Sequence, residues 1–393
     1  MIAQQHCQIC QQLNWQPLGE LCSGVWQKSQ QELTREELLF PLGLCSGCGH
    51  VQVTVPYTAD IFASLYFSNN REPDMWCSSE NQQTPYHDML NFIGDTVLQS
   101  QTSVADFGCG AALPLKLMQQ QYPNLHYYGF DFNVSACDNN ITGIQCNINE
   151  LDNIDPRNFG DGFSLVLSSH VLEHVLQPIH YLQQLGRFLA SDGLLFIEVP
   201  DCGDQALACA LETTNLVHGQ HIHYYTDDSL RQIATLAGFS LQKQAHIRTG
   251  EIPRLQMLFK KSQSAVSTVQ IHRTAAAAIE LRFHLYNSKL QFTYCQIKQL
   301  LAEHPSIGLW GIGGDFYILL RTYPELRQAL ADQRLRLFDY ELAGHTYQQQ
   351  PIRSSSELAG YSSPVIIVPF YAPTRQRMLQ LAKNFPCVRQ TTD

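Results

Sequence analysis

Between residues 82 and 262, short apolar runs alternate with segments whose apolar positions recur at helical spacing. That alternation predicts a doubly wound α/β domain with a mainly parallel sheet. Val104-Ala105-Asp106-Phe107 reads as a strand that closes on Gly108-Cys109-Gly110, and Leu113 to Met118 reads as the first turns of a helix. His126 to Asp131 is a second strand ending in an acid, 25 residues after Asp106. Ile144 to Asn149 is a short third strand. Gly162 to His170 is a fourth, nearly continuous in apolar residues, as suits a strand covered on both faces. Asp192-Gly193 turns into a fifth, Leu194 to Asp201. Ligands of open parallel sheets sit at the carboxyl ends of the strands, so Asp106, Asp131, His170 and Asp201 are expected on one rim.

The pattern then changes. Residues 263 to 268 read as a linker. A helix is expected from about Val269 to Glu303, with Leu281, Leu285, Leu290, Ile297 and Leu301 as its core stripe. Ile307 to Phe316 is a strand, a glycine turn and a helix; Leu335 to Asp339 and Val365 to Phe370 are further strands. Together they predict a second, small Rossmann-like sheet. Its G-x-G-G spacing is an incomplete dinucleotide fingerprint.

Length and charge narrow the class. The 393 residues suffice for two or three domains. Lys plus Arg is 25 and Asp plus Glu is 35, a net charge of −10, which argues against a general nucleic-acid binder. No apolar run approaches the length of a membrane span, and the N-terminus lacks a signal-peptide pattern, so a cytoplasmic protein is expected. There the 13 cysteines should be reduced thiols or metal ligands.

Two C-x-x-C pairs carry the first candidate chemistry: Cys7 with Cys10, and Cys45 with Cys48. Four thiolates suit a tetrahedral Zn2+ and leave no open position, so the metal would be structural. The 34 residues between the pairs read as a long inserted hairpin or loop. Gly108 and Gly110 would let the backbone approach a ligand closely in front of a helix N-terminus. Asp131 is placed to accept two ribose hydroxyls. His170 and His174 are four apart and share a face if a helix starts early, but no third metal ligand is evident beside them. His218 to Thr226 gathers three histidines and two tyrosines.

Asp106-x-Gly108-x-Gly110 after a strand resembles the first motif of the class I S-adenosylmethionine-dependent methyltransferases. That resemblance implies a loop around the methionine part of the cofactor with Asp106 near its amino group, Asp131 on the ribose, and Asn147 or Asn149 near the adenine. The run from Ser168 through His170 to Val175, S-x-H-V-L-E-H-V, is similar to the post-strand motif of sugar and small-molecule methyltransferases, which faces the cofactor. The N-terminal segment, with Cys7-x-x-Cys10, Cys45-x-x-Cys48-Gly49-His50 and then Tyr66-Phe67-Ser68, resembles the zinc domain of the sugar C-methyltransferases. In that family an aromatic stretch, here Tyr66 to Trp76, helps cover the active site. His221 matches the family histidine of proton abstraction, while the Glu and Tyr before it become Gln220 and His218. The C-terminal domain of the family helps bind the nucleotide, which implies Gly311, Gly313 and Arg321 here. Asp315 stands where the family has other residues, and a carboxylate facing a diphosphate would be repulsive.

The sequence therefore reads as α/β: a zinc-binding module with an aromatic segment (1–81), a Rossmann-like class I methyltransferase core (82–262), and a long helix plus small Rossmann-like domain (263–393). The expected activity is methyl transfer from S-adenosylmethionine to a sugar, a nucleotide-linked (keto)deoxysugar, by base-assisted attack at carbon. His221 is the base, with His223, Tyr224 or His174 holding the developing oxygen, and Tyr66 and Gln220 among the substrate contacts. The alternatives are an O-methyltransferase on a sugar or other small molecule, and a non-catalytic cofactor- or nucleotide-binding subunit. A small-molecule partner is expected, with no nucleic acid and no membrane.

Overall fold

The structure is a computed structural model and describes residues 5–23, 26–29, 32–35, 38–58, 61, 84–203, 219–248, 253–262, 269 and 273–389. Tyr66, the aromatic stretch to Trp76, His218 and the 263–268 linker lie outside the described residues.

The residues between the two C-x-x-C pairs form strands β1 (Trp15–Ser23), β2 (Trp26–Ser29), β3 (Glu32–Arg35) and β4 (Leu38–Cys45). β1 and β4 pair antiparallel, and β5 (Val51–Val53) adds to β4. The fourth strand of this sheet comes from far along the chain, residues His223–Tyr224. The β2–β3 hairpin leaves the module altogether and pairs with the C-terminal sheet.

The central domain opens with helices α1 (Thr84–Ile93) and α2 (Asp95–Gln99). Strand β6 (Ser103–Phe107) leads into α3 (Leu113–Gln121), whose second residue, Pro114, sits where no backbone N–H is needed. β7 (His126–Asp131) and β8 (Ile141–Gln145) follow on one side of β6. β8 starts earlier and stops sooner than the sequence reading. The chain leaves it because Asn147 turns its side chain back to accept from the Asn149 N–H and starts a 3-10 turn. β9 (Phe163–Ser169), α4 (Pro178–Phe188) and β10 (Leu189–Pro200) then build on the other side of β6. β11 (His223–Tyr224) is the strand lent to the N-terminal sheet. Next come α5 (Asp227–Leu236), β12 (Phe239–Ile247) and β13 (Arg254–Lys261), with β13 antiparallel to both of its neighbours.

The sheet order is β12-β13-β10-β9-β6-β7-β8. The direction of building reverses between β6 and β9, and that switch point opens a crevice at the carboxyl ends of the strands. The core on one face, which includes Ala105, Phe107, Phe130, Val166 and Ile197, also takes in Cys7, Cys45 and Cys48, so the cysteine module is packed onto the central domain.

The third unit begins with α6 (Ala276–Glu303). Its buried stripe is Ala278, Ile279, Arg282, Leu290, Thr293 and Ile297, so the expected leucine stripe holds only in the second half of the helix. The first half packs on the N-terminal module instead, with Phe283 lying against Gly19 of β1. β14 (Ile307–Trp310), α7 (Gly314–Thr322), α8 (Pro324–Ala331), β15 (Leu335–Asp339), β16 (Thr346–Tyr347), β17 (Gln350–Ser354), β18 (Val365–Ile367) and α9 (Ala372–Ala382) complete it. Its sheet runs β18-β14-β15-β17-β16-β3-β2. No described helix is long and apolar enough to cross a membrane.

Candidate active site

At the tip of β6 the chain makes a sharp loop. The Gly108 N–H donates to the Phe130 carbonyl at 2.7 Å and so ties the loop to β7. Gly108 has φ +86°, and a Cβ there would lie 2.3 Å from Val171 Cγ2. This glycine is needed for close packing across the β6–β9 crevice, in a backbone conformation L side chains avoid. Gly108→Ala should therefore lower stability by about 2–3 kcal/mol, read as a drop in urea midpoint. Gly110, in contrast, faces open space: nothing lies within 4 Å of where its Cβ would be. Its N–H donates to Asp131 Oδ2 at 2.9 Å, and Asn133 N–H donates to Oδ1 at 3.1 Å. Asp131 thus frames the open loop from the end of β7, with its side chain only partly buried.

Asp106 is 2 % exposed at the end of β6. Burial, and then the charge of Asp131, push its carboxyl up to about 7. A bound ammonium beside Asp106 would relieve the repulsion it feels from Asp131. The glycine loop and this acid pair fit the methionine and ribose ends of S-adenosylmethionine. Asn147 and Asn149, the adenine candidates, use their oxygens locally, on the Asn149 N–H and the Leu176 N–H respectively. Ser168 is fully buried with its hydroxyl on Tyr181 at 2.9 Å, which turns it into the core rather than toward the rim.

Past β9 the chain crosses to the other wall of the crevice. His170 takes the left-handed conformation, φ +54°, which is unusual for a residue other than glycine. Its ring lies between two carboxylates, Nδ1 at 3.3 Å from Glu173 and Nε2 at 3.5 Å from Glu198. Burial opposes its charge, but the Glu173 hydrogen bond and the two carboxylates outweigh it and raise its pKa. Residues Leu172–His174 form one 3-10 turn. That turn brings Glu173 beside His174 Nε2 at 3.8 Å and His221 Nε2 at 3.9 Å. His174 Nδ1 lies 2.9 Å from the Gln220 carbonyl, so that nitrogen is the donor.

The segment bearing His221 is held from two sides. The Ile222 N–H donates to the Glu173 carbonyl, and the Ile222 carbonyl accepts from the Val53 N–H of β5, both at 2.8 Å. Tyr57 donates to the Gly219 carbonyl. His50, beside the second cysteine pair, meets His223 ring to ring at 3.0 Å. The expectation that His223 stands next to the base is corrected here. It is buried against His50, and burial lowers its pKa to about 3, so it stays neutral and structural. Tyr224 is buried among Phe40, Val51 and Tyr57, at the junction with the cysteine module, but its ring does lie edge-on to His221, with centroids 6.4 Å apart.

Sequence reasoning missed the carboxylates behind the rim. Glu198 sits inside β10 and accepts from Ser169 at 2.8 Å and Gln256 at 2.5 Å; Arg254 lies 3.4 Å from it and also pairs with Asp88 of α1 at 2.8 Å. An acid in the middle of the apolar run Leu194 to Val199 was the available signal, because a buried charge must be paired. Asp201, expected on the rim, is committed to His246 at 2.6 Å and to the Gly203 N–H.

The four cysteines converge. Cys7 and Cys48 sulfurs are 3.6 Å apart, Cys10 and Cys45 3.4 Å, and all four lie within 4.8 Å of one another. A tetrahedral zinc with bonds of about 2.3 Å would hold its sulfurs at similar separations. The Cys48 thiol beside Cys7 brings Cys7 down to about 6, while burial pushes Cys45 up to about 11. Four crowded, mostly buried sulfurs of this kind fit a thiophilic cation.

In the C-terminal unit the glycine loop has its own structural reasons. Gly311, φ +97°, lies against Pro369, where a Cβ would come within 2.5 Å of the ring. The Ile312 N–H donates to Asp339 Oδ2 at 2.8 Å. Asp315 does not point a free acid at the loop: it accepts from Tyr286 and from the Phe370 N–H, both at 2.8 Å. Arg321 is corrected as a loop residue. It stands at the far end of α7, about 10 Å along the axis from Gly314, and lies 3.7 Å from Glu20.

Residues 79–244 match the family model of a methyltransferase domain, which takes in α1 through most of β12. The match spans less than half of the chain and marks that stretch as a methyltransferase domain. No curated protein matches the chain. Similar solved structures include an O-methyltransferase family protein from Burkholderia thailandensis, at 16% identity and a TM-score of 0.36, over 46% of this chain and 57% of that one. The chain therefore spans under two thirds of that protein's length. Another is the 1,6-didemethyltoxoflavin-N1-methyltransferase of the same organism, with S-adenosylhomocysteine bound, at 15% identity and a TM-score of 0.39, over 61% of this chain and 100% of that one. A third is human N-acetylserotonin methyltransferase in complex with S-adenosylmethionine, at 15% identity and a TM-score of 0.36, over 46% of this chain and 52% of that one.

Proposed function

We propose that this enzyme transfers a methyl group from S-adenosylmethionine to a sugar, a nucleotide-linked ketodeoxysugar, at the carbon next to its ketone. One observation carries the reading: the acid-and-glycine loop after β6 packs against Val171, which leads straight into the histidine–carboxylate cluster, at the switch point of one sheet. Asp106, Gly108, Gly110 and Asp131 would hold the cofactor, with Asn147 and His170 on its flanks. When bound, S-adenosylmethionine supplies an electrophilic methyl on its sulfonium. What remains for the protein is to orient the acceptor and remove its proton.

His221 is the base. It takes the proton from the acceptor carbon; the pair released becomes the enolate, and its carbon takes the methyl. The proton stays on His221 until it leaves to solvent. His174, its Nδ1 fixed on the Gln220 carbonyl and its ring 4.8 Å from that of His221, is the neighbour placed to face the enolate oxygen. An acceptor hydroxyl in place of the carbon acid would give O-methylation through the same base. Cys7, Cys10, Cys45 and Cys48 hold a structural Zn2+. Tyr66, Gln220 and the Gly311–Gly313 loop are the substrate-side candidates. Asp315 accepts from Tyr286 and from the Phe370 N–H, which favours its ionised form, so it still counts against a diphosphate there.

The test is calorimetric titration with S-adenosylmethionine beside Asp131→Ala, followed by a screen of nucleotide sugars for S-adenosylhomocysteine release. Asp131→Ala should weaken cofactor binding about tenfold to a hundredfold. Native-strength binding by the variant, or no acceptor among sugars while other small molecules turn over, would reject the assignment.

A further inference from the structure

The residue between the two loop glycines is Cys109, and the turn after β7 carries Cys137. We propose that these two cysteines are a redox modification site: a small-molecule disulfide converts them to a Cys109–Cys137 disulfide, which weakens the hold of the glycine loop on its cofactor. The second half of that statement rests on the reading of the loop as the cofactor site; the first half does not.

Geometry places the pair. Neither cysteine is in a disulfide. Their sulfurs converge on Gly129 of β7, where a Cβ would lie 2.8 Å from Cys109 Sγ and 2.9 Å from Cys137 Sγ. The side chain that Gly129 lacks is therefore the space in which the sulfurs meet, and each thiol acts directly on the other. A disulfide needs its sulfurs about 2.05 Å apart. With no Cβ at Gly129, the side chain that would crowd that approach is absent.

Both backbones are tied to the frame of one acid. The Cys109 N–H donates to the Phe130 carbonyl at 3.2 Å, and the Gly110 N–H that follows donates to Asp131 Oδ2 at 2.9 Å. The Cys137 N–H donates to the Val134 carbonyl at 3.0 Å, in the turn whose Asn133 N–H donates to Asp131 Oδ1 at 3.1 Å. Drawing the sulfurs to bonding distance pulls on the loop and on the turn together, and so on both oxygens of Asp131.

Cys109 is 5 % exposed and Cys137 is half-buried, so Cys137 makes the first attack. Its thiolate takes one sulfur of the small disulfide, and the other leaves as a thiolate. Cys109 then attacks the Cys137 sulfur of the mixed disulfide and expels the second small thiolate. Two protein thiols are oxidised by two electrons, the small disulfide is reduced to two thiols, and the cysteine protons pass to them. Burial is the main influence raising both cysteine pKa values. Asp106 and Asp131 add to it, Lys116 of α3 opposes it at Cys137, and the contact between the thiols favours ionising Cys137 over Cys109. Both are thus protonated at neutral pH, and the exchange quickens as pH rises.

The experiment exposes full-length, zinc-loaded protein to oxidised glutathione at pH 8. Disulfides are then mapped by peptide mass spectrometry, and S-adenosylhomocysteine affinity is measured by calorimetry. One new disulfide should join the Cys109 and Cys137 peptides, with affinity at least about tenfold lower and restored by dithiothreitol. By reciprocity, bound S-adenosylhomocysteine should disfavour the disulfide by the same factor. Cys137→Ser should bind like the reduced native protein and keep that affinity under the oxidant; Cys137→Ala serves if the serine variant does not fold. Absence of the Cys109–Cys137 peptide, or a stable glutathione adduct on Cys137 in its place, overturns the proposal. So does a disulfide that leaves affinity unchanged, or a loss of affinity that persists in the Cys137 variant. If the reduced protein binds no S-adenosylhomocysteine, the cofactor reading fails, and the peptide map alone decides the redox pair.

Discussion

Removing the metal proposed for the four cysteines should disable catalysis while leaving cofactor binding largely in place. Cys48→Ala, or treatment with a strong chelator, is expected to lower turnover at least about a hundredfold, the scale of an ångström-level misplacement of a reacting group. The reason is mechanical. β5 follows directly on Cys45-Ser46-Gly47-Cys48, pairs with β11, and receives the Ile222 carbonyl on its Val53 N–H, while His50 locks His223. Structural zinc contributes about 10–16 kcal/mol to small modules that depend on it. Without it the turns at Cys7–Cys10 and Cys45–Cys48 have four crowded thiols, three of them buried, in place of bonds, and the strand next to His221 loses its frame. Asp106 lies on β6, Gly110 in the loop after it and Asp131 at the end of β7, and none of them belongs to the strands that pair at that seam. Zinc content, S-adenosylmethionine titration and turnover measured together check the claim; cofactor binding lost in parallel with zinc would refute this division of labour.

The second large effect is expected at Asp106, and it depends on pH. Its carboxyl stands near 7 in the folded protein, above its ordinary value of 3.8. A raised pKa means that the folded state favours the neutral acid. The stability contribution is present below about pH 4 and is lost as pH rises through about 7, on the order of 4 kcal/mol in all. The cofactor-free enzyme should therefore lose stability across that window, and Asp106→Asn should flatten the loss. A cofactor ammonium beside Asp106 reverses the preference. Affinity for S-adenosylmethionine should rise from pH 6 to pH 8, with proton release seen as a dependence of the calorimetric heat on buffer. At pH 8, Asp106→Asn should bind about a hundredfold more weakly, as truncating one member of a buried charged pair does. A pH-independent affinity in the native enzyme would rule out this role.

Gly108 and Gly110 show how far local pattern reaches. A strand, an acid and two glycines announce a ligand loop, because the backbone geometry there depends on a handful of neighbouring residues. The sequence does not divide their labour. Gly108 is needed because Val171 packs across the crevice, whereas Gly110 faces open space. Histidine spacing was a weaker guide. His221 and His223 are two residues apart, yet one joins Glu173 and His174 and the other is sealed against His50.

What the chain determined by itself is whatever repeats over short range: the alternation of strands and helices, the two C-x-x-C knuckles, and the acids at the tips of β6 and β7. Those follow from periodicity, turn chemistry and ligand spacing, which local residues carry. Only the tertiary structure decided which distant segments share a sheet or a charge. β11 completes the N-terminal sheet, and the β2–β3 hairpin joins the C-terminal one. Glu173 reaches His221 across 48 residues of chain. Strand pairing and buried ion contacts between remote segments depend on how whole faces pack, and no window of sequence holds that information.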